Sequence, residues 1–414
     1  MTAPNTSEPT RDKGVGRFLL IALAQFLSMS VWFSASAVTP ALRAEWSLDV
    51  SQASWLTMTV QLGFCVGALV SALTLLADRF PPRNIFVAGS LGAAGLNALL
   101  PSVSSFEVAL ALRFATGVCL AAVYPIGMKI MASHTLQRRG LALGLLVGAL
   151  TLGSSTPHLV RAFGDLGDWR DVLYQVSGLV AIGAVVGWFA GSTGPYAKPA
   201  ARFRFGYMKK ALIDPAIRLA NFGYLGHMWE LYAMWTWIPA FLAASYTQRI
   251  DDGSGWTNSQ LASLAAFAVI GLGGPASLLA GLLADRWGRT RTTILSLAVS
   301  GGCALSIGFF VDSPAIATTL ALLWGFAVVA DSAQFSTSVS ELGEPEYMGT
   351  LLTTQTCLGY LLTAVTIRWL PALESEHGWG WAFAMLAIGP AFGALSMWRL
   401  GRLPDAEKLA GGRG

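Results

Sequence analysis

Charge is scarce in this sequence. Asp, Glu, Lys and Arg make up 12% of its 414 residues, whereas soluble domains carry about 25%. Hydrophobic residues reach 54%. So few charges cannot solvate the surface of a soluble globule, so lipid is the expected solvent. Cysteine and histidine are equally sparse, four of each. Cys65, Cys119, Cys303 and Cys357 lie in separate apolar runs, without metal-ligand spacing or a disulfide framework. A phosphate-binding Walker loop and a Gly-x-Ser-x-Gly elbow are both missing. These absences exclude ATP-driven pumping by this chain and argue against an enzyme; no cofactor and no metal are expected. The formal charge of +4 is too small to mark a nucleic-acid partner.

Apolar runs are what the chain has in quantity. A helix needs about 20 apolar residues to cross the hydrocarbon. Twelve candidate runs fall near 17–39, 52–76, 84–102, 106–128, 140–160, 171–190, 216–244, 258–283, 292–311, 315–336, 348–370 and 379–400. The expected fold is therefore an all-α membrane protein of twelve transmembrane helices. Residues 1–16 are polar and read as a disordered cytoplasmic tail. The run after them is too long for a signal-peptide core.

One phrase occurs twice. Leu75–Arg83 reads Leu-Leu-Ala-Asp-Arg-Phe-Pro-Pro-Arg, and Leu282–Arg291 reads Leu-Leu-Ala-Asp-Arg-Trp-Gly-Arg-Thr-Arg, preceded by Gly281. A second pair of landmarks, Arg139-Gly140 and Met348-Gly349, repeats at nearly the same separation. Two landmarks in step imply two related halves. Residues 17–190 form the first six-helix bundle, 191–215 a cytoplasmic linker, 216–401 the second bundle, and 402–414 a cytoplasmic tail.

The basic residues set an expected orientation. Arg79, Arg83, Lys129, Arg138, Arg139, Lys209, Lys210, Arg286, Arg289, Arg291, Arg399 and Arg402 share one side of a twelve-span topology. Arg43, Arg161, Arg170, Arg249 and Arg368 fall on the other. By the positive-inside rule, both termini face the cytoplasm of a multi-pass protein in the cell's inner membrane.

Ionisable residues inside spans are costly, and each is a functional candidate. Span seven holds His227 and Glu230 three apart, on one helical face and close to mid-membrane. A buried Glu beside a His is suited to loading and releasing a proton. The plainer alternative is a His–Glu bond that locks span seven to a neighbour. Arg113 in span four could bind an anionic substrate or hold a carboxylate, or it could snorkel to the interface. Asp331 is expected to pair with Arg286 or Arg289. Tyr224 is placed to line a cavity, with Gln25, Gln61, Tyr124, Thr151, Gln334 and Gln355 as uncharged candidates. Gly140, Gly144 and Gly148 give span five a smooth stripe for helix contact.

The repeated Asp-Arg phrase resembles the hallmark loop of the major facilitator superfamily, Gly-x-x-x-Asp-Arg-x-Gly-Arg-Arg/Lys. The second copy matches through Gly281, Asp285, Arg286, Gly288 and Arg289; the first keeps Asp78, Arg79 and Arg83. Arg113 and Gly117 resemble that family's Arg-x-x-x-Gly element. The resemblance covers roughly 17–400. It implies two bundles with pseudo-two-fold symmetry that rock about a central site, with a monomer expected. It also implies gating by Asp78, Arg79, Gly281, Asp285, Arg286, Gly288 and Arg289, whose charges would pair across the halves in one state only. The expected function is secondary transport of a small-molecule substrate, as proton-coupled uptake of an anionic or polar solute. The alternative is proton-driven efflux of amphipathic or cationic compounds. The efflux branch's Gly-x-x-x-Gly-Pro is incomplete here, since Ala149 follows Gly148.

Overall fold

The computed structural model describes residues 12–134, 139–164, 168–197, 203–249 and 255–414. Most of the expected N-terminal tail, Arg138 and the linker residues 198–202 lie outside that set. Among the described residues the secondary structure is helical. Among the described residues, nine segments are long and apolar enough to cross a membrane by length and composition.

In the first half the helices are α1 (Gly16–Trp46), α2 (Val50–Thr74), α3 (Pro82–Ser102), α4 (Phe106–Ala132), α5 (Arg139–Phe163) and α6 (Trp169–Ala190). The second half holds α7 (Pro215–Tyr246), α8 (Asn258–Trp287), α9 (Arg289–Phe310) and α10 (Pro314–Leu342). It closes with α11 (348–377) and α12 (379–400). These last two form one continuous apolar stretch that turns at Gly378, whose φ of 76° ends one helix and starts the next. All twelve expected spans are thus present as helices.

Local chemistry sets the helix starts. Asp49 and Gln52 form a reciprocal capping box on α2, and Thr257 and Gln260 form one on α8. The two halves therefore begin their second helix in the same way. Asp214 caps α7, accepting from the backbone N–H groups of Ala216 and Ile217 at 3.0 Å, with Pro215 in the first turn.

Small residues bring helices together within each half. A Cβ on Gly117 of α4 would lie 2.0 Å from the Val60 carbonyl oxygen of α2, so only glycine fits. Gly325 of α10 has the same relation to Val269 of α8. Between the halves, α2 packs on α11 and α5 packs on α8. The second pair is the first with the halves exchanged, as a pseudo-two-fold axis requires. The glycine stripe of α5 serves that contact: a Cβ on Gly148 would stand 3.4 Å from the Gly274 Cα of α8.

Several helices are broken partway. Residues 30–33 of α1 form a turn, residues 122–123 interrupt α4, and Asp331 interrupts α10. The C-terminal segment is packed rather than loose. Pro404–Gly411 forms a 3-10 turn, the Gly414 carbonyl accepts from Thr290 Oγ1 at 2.8 Å, and Ala410 N–H donates to Glu341 at 3.0 Å.

Candidate functional site

Two buried polar groupings stand apart from the surrounding apolar packing. The first lies inside the second half. Glu230 is fully buried on α7. Its Oε1 accepts from Trp324 Nε1 of α10 at 2.6 Å, and Ser300 Oγ of α9 lies 3.0 Å from Oε2. The Ser300 hydroxyl has one proton and two acceptors in reach, since the Leu297 carbonyl lies 3.3 Å away. An ionised Glu230 accepts from Ser300. A protonated Glu230 donates to Ser300, which then donates to Leu297. The site therefore satisfies either protonation state with a single hydroxyl rotation.

His227 does not pair with Glu230, as its placement on one face led us to expect. Its Nδ1 lies 2.8 Å from Asp331 Oδ1, and both side chains are 1% exposed. The break in α10 turns Asp331 inward toward α7, which explains why it misses the arginines. Asp331 was expected to meet Arg286 or Arg289; Arg289 is instead taken by Glu341 at 2.8 Å and Gln334 at 2.8 Å. Arg286 is exposed. Tyr224 packs beside His227 and Phe335, with ring centroids 6.1 and 6.2 Å away.

Arg113 is neither a free anion ligand nor a snorkelling residue. It is 1% exposed, and its guanidinium is spent on backbone. It donates to the carbonyls of Leu56 at 3.2 Å, Val31 at 3.3 Å and Trp32 at 2.7 Å, and to Ser34 Oγ at 3.1 Å. The Val31 and Trp32 carbonyls lie where α1 breaks, whereas that of Leu56 belongs to α2. Arg113 thus holds open the turn that aims Trp32 and Phe33 at the other half.

The second grouping is at that contact. Trp32 and Phe33 of α1 and Phe64 of α2 meet Tyr232 and Trp235 of α7 and Tyr360 of α11. Trp32 lies 6.0 Å from Tyr232 and 5.7 Å from Tyr360, Phe64 lies 5.1 Å from Tyr360, and Phe33 lies 5.8 Å from Trp235. The Tyr232 and Tyr360 hydroxyls bond at 2.6 Å. Gln61 sits on the same seam, accepting from Thr363 Oγ1 at 2.6 Å across the halves. Beside it, the Cys65 and Cys357 thiols each approach the other's carbonyl, at 3.9 and 3.8 Å. Sequence reasoning named Gln61, and the aromatic crowding of span seven that includes Tyr232 and Trp235 is visible in the sequence, with Trp235 read as an interface residue although it is 1% exposed. Trp32, Phe33, Phe64 and Tyr360 were missed, because single aromatic residues in apolar runs carry no distinguishing signal.

The repeated Asp-Arg turns lie at one end of the molecule. Asp78 pairs with Lys129 at 2.5 Å, and Asp285 approaches Arg289 at 3.5 Å. Both ion pairs stay within their own half. Arg79 is exposed, as are Asp78 and Asp285. Gly281 borders open space, whereas Gly288 has φ 98°, a conformation that the hallmark glycine alone accommodates. At this end Lys210 of the linker meets Glu344 of the second half at 2.6 Å, and the pairing holds that carboxyl below its ordinary range. At the opposite end Arg161 reaches Ser259 at 3.5 Å, beside a cavity of about 300 Å³ that it helps line with Asp168 and Asp171.

With this geometry in view, the comparisons with known proteins agree. The family model of the Major Facilitator Superfamily matches residues 21–366. The chain belongs to that superfamily, and its fold is that of a transporter, not of an enzyme. The fold is shared with a D-xylose-proton symporter, at TM-score 0.74, 14% identity, and coverage of 95% of this chain and 99% of that one. The nucleoside transporter NupG superposes at TM-score 0.71 with 14% identity, over 93% and 99%. In sequence, the uncharacterized transporter YgaY of Escherichia coli O157:H7 is 27% identical over 188 residues, 44% of this chain and 46% of YgaY. The 4-hydroxybenzoate transporter PcaK of Pseudomonas putida is 29% identical over 120 residues, 29% of this chain and 26% of PcaK. The chain therefore spans less than half the length of these curated relatives.

Proposed function

We propose that this protein is a proton-coupled secondary transporter that takes up a small anionic or polar solute by alternating access. The observation that carries the reading is Glu230: a fully buried carboxyl among apolar helices, built to be satisfied with or without its proton. The His227–Asp331 pair supplies a second titratable group on the same helix contact. Buried ionisable residues of this kind mark proton relays in membrane proteins. The xylose-proton symporter of the same fold, and the partial likeness to a 4-hydroxybenzoate carrier, support a small-solute cargo. Arg113 no longer serves as the anion anchor, because its donors hold backbone carbonyls. The end bearing the Asp-Arg turns is the cytoplasmic one.

Glu230→Gln tests the coupling. It imitates the protonated form, so folding and solute exchange should persist. Accumulation against a gradient in proteoliposomes under an imposed pH difference should fall at least tenfold. Normal accumulation by the variant would make Glu230 structural, and the coupling would then be sought at His227 and Asp331.

A further inference from the structure

We propose that the ring cluster between the halves is a binding site for a planar aromatic solute that carries hydrogen-bond acceptors and no positive charge. This deepens the transport reading above and rests on it. Three rings come from the first half, Trp32, Phe33 and Phe64, and three from the second, Tyr232, Trp235 and Tyr360. All six are more than nine-tenths buried. Their centroid spacings across the halves run from 5.1 Å to 6.3 Å. These contacts are made between bodies that must part for alternating access. Each parting therefore exposes two facing aromatic surfaces, between which a flat ring can stack.

Hydrogen bonding then fixes the polarity of the guest. The indole N–H groups of Trp32 and Trp235 are buried without a partner, and so is Nε2 of Gln61. Gln61 has its other end on Thr363. A buried donor left unpaired is costly, so these groups are best matched by a guest that supplies acceptors. Every one of them is a donor, and a cation would leave all three unsatisfied. Positive charge is disfavoured for a second reason. Glu230 and Asp331 turn away from the rings, toward Trp324, Ser300 and His227 within their own half. Arg113, which reaches the Trp32 carbonyl, is committed to that carbonyl, those of Val31 and Leu56, and Ser34 Oγ. A guest carboxyl would thus find N–H donors without a counter-ion, which favours its entry together with a proton.

Equilibrium binding to the full chain in lipid nanodiscs, read by titration calorimetry without any gradient, tests this. The probes are benzoate, benzamide, cyclohexanecarboxylate and benzyltrimethylammonium. At least one of benzoate and benzamide should bind tenfold or more tighter than cyclohexanecarboxylate, and the quaternary ammonium should not displace it. Trp32→Phe and Trp235→Phe keep a ring and remove one N–H. Whichever of them retains the parent melting temperature should bind several-fold more weakly, as should Gln61→Leu. Equal binding of the saturated ring, tighter binding of the cation, no binding of either aromatic probe, or unaltered affinity in the folded variants would each overturn the proposal. Intact aromatic binding with failed pH-driven accumulation would instead sink only the proton coupling. Intact coupling with another solute, without aromatic binding, would sink only this site.

Discussion

Arg113 shows how differently a residue reads in sequence and in space. In sequence it is an intramembrane cation, and intramembrane cations are functional candidates. In the fold it is a clamp whose donors reach four acceptors on α1 and α2. Its substrate role dissolves, yet its importance rises, because each abandoned buried carbonyl costs about 1–3 kcal/mol. Arg113→Met should lower the melting temperature of the detergent-solubilised protein by many degrees and cut the yield of monodisperse material. A variant of wild-type stability that had merely lost solute affinity would restore the ligand reading. His227, Glu230 and Asp331 were each legible as candidates, since a charge in an apolar run is conspicuous. Their pairing was not. Helical spacing predicted that His227 and Glu230 share a face, but it could not show that Glu230 bonds to Ser300 of α9 and Trp324 of α10 while His227 meets Asp331 at the break in α10.

At the scale of helices, the runs were legible because bilayer thickness fixes their length, and all twelve appear near the expected positions. The breaks were not. Residues 30–33 read Ser-Val-Trp-Phe, with neither Pro nor Gly to announce a turn. The turn exists because Arg113, 81 residues beyond Trp32 in the chain, satisfies its carbonyls. Conversely, proline does not guarantee a break: Pro157 lies inside Arg139–Phe163, which runs through it as one helix. The Arg-x-x-x-Gly element acquires a single physical account: Arg113 props the broken α1, and Gly117 one turn on lets α4 lie against α2. Gly117→Leu would drive a side chain into the Val60 carbonyl. Overpacking typically costs about 1–3 kcal/mol, and backbone leaves less room to yield than a side chain does. Its melting temperature should drop clearly, while Gly95→Leu, which faces open space on α3, should leave it near the parent value. Equal effects of the two would mean that the α2–α4 approach is not held by Gly117.

At the scale of the whole molecule, the repeat was legible in two short phrases, and the crossed contacts α2–α11 and α5–α8 are its spatial counterpart. The seam they enclose was not legible, because it is assembled from four helices whose aromatic residues look alike in sequence. The orientation proposed across the bilayer rests on charge. The Lys and Arg residues gather at the end where the linker, the Asp-Arg turns and the docked C-terminal segment lie, and such charge resists translocation. Glu344 at that end and Glu376 at the other are both well exposed, with side-chain exposures of 57% and 70%. In a background with the native cysteines replaced by serine, Glu376→Cys should react with a membrane-impermeant maleimide added to intact cells. Glu344→Cys should react only after the membrane is opened. Labelling in the reverse order would place the basic end outside, invert the direction of proton entry to Glu230, and turn the uptake proposed here into export.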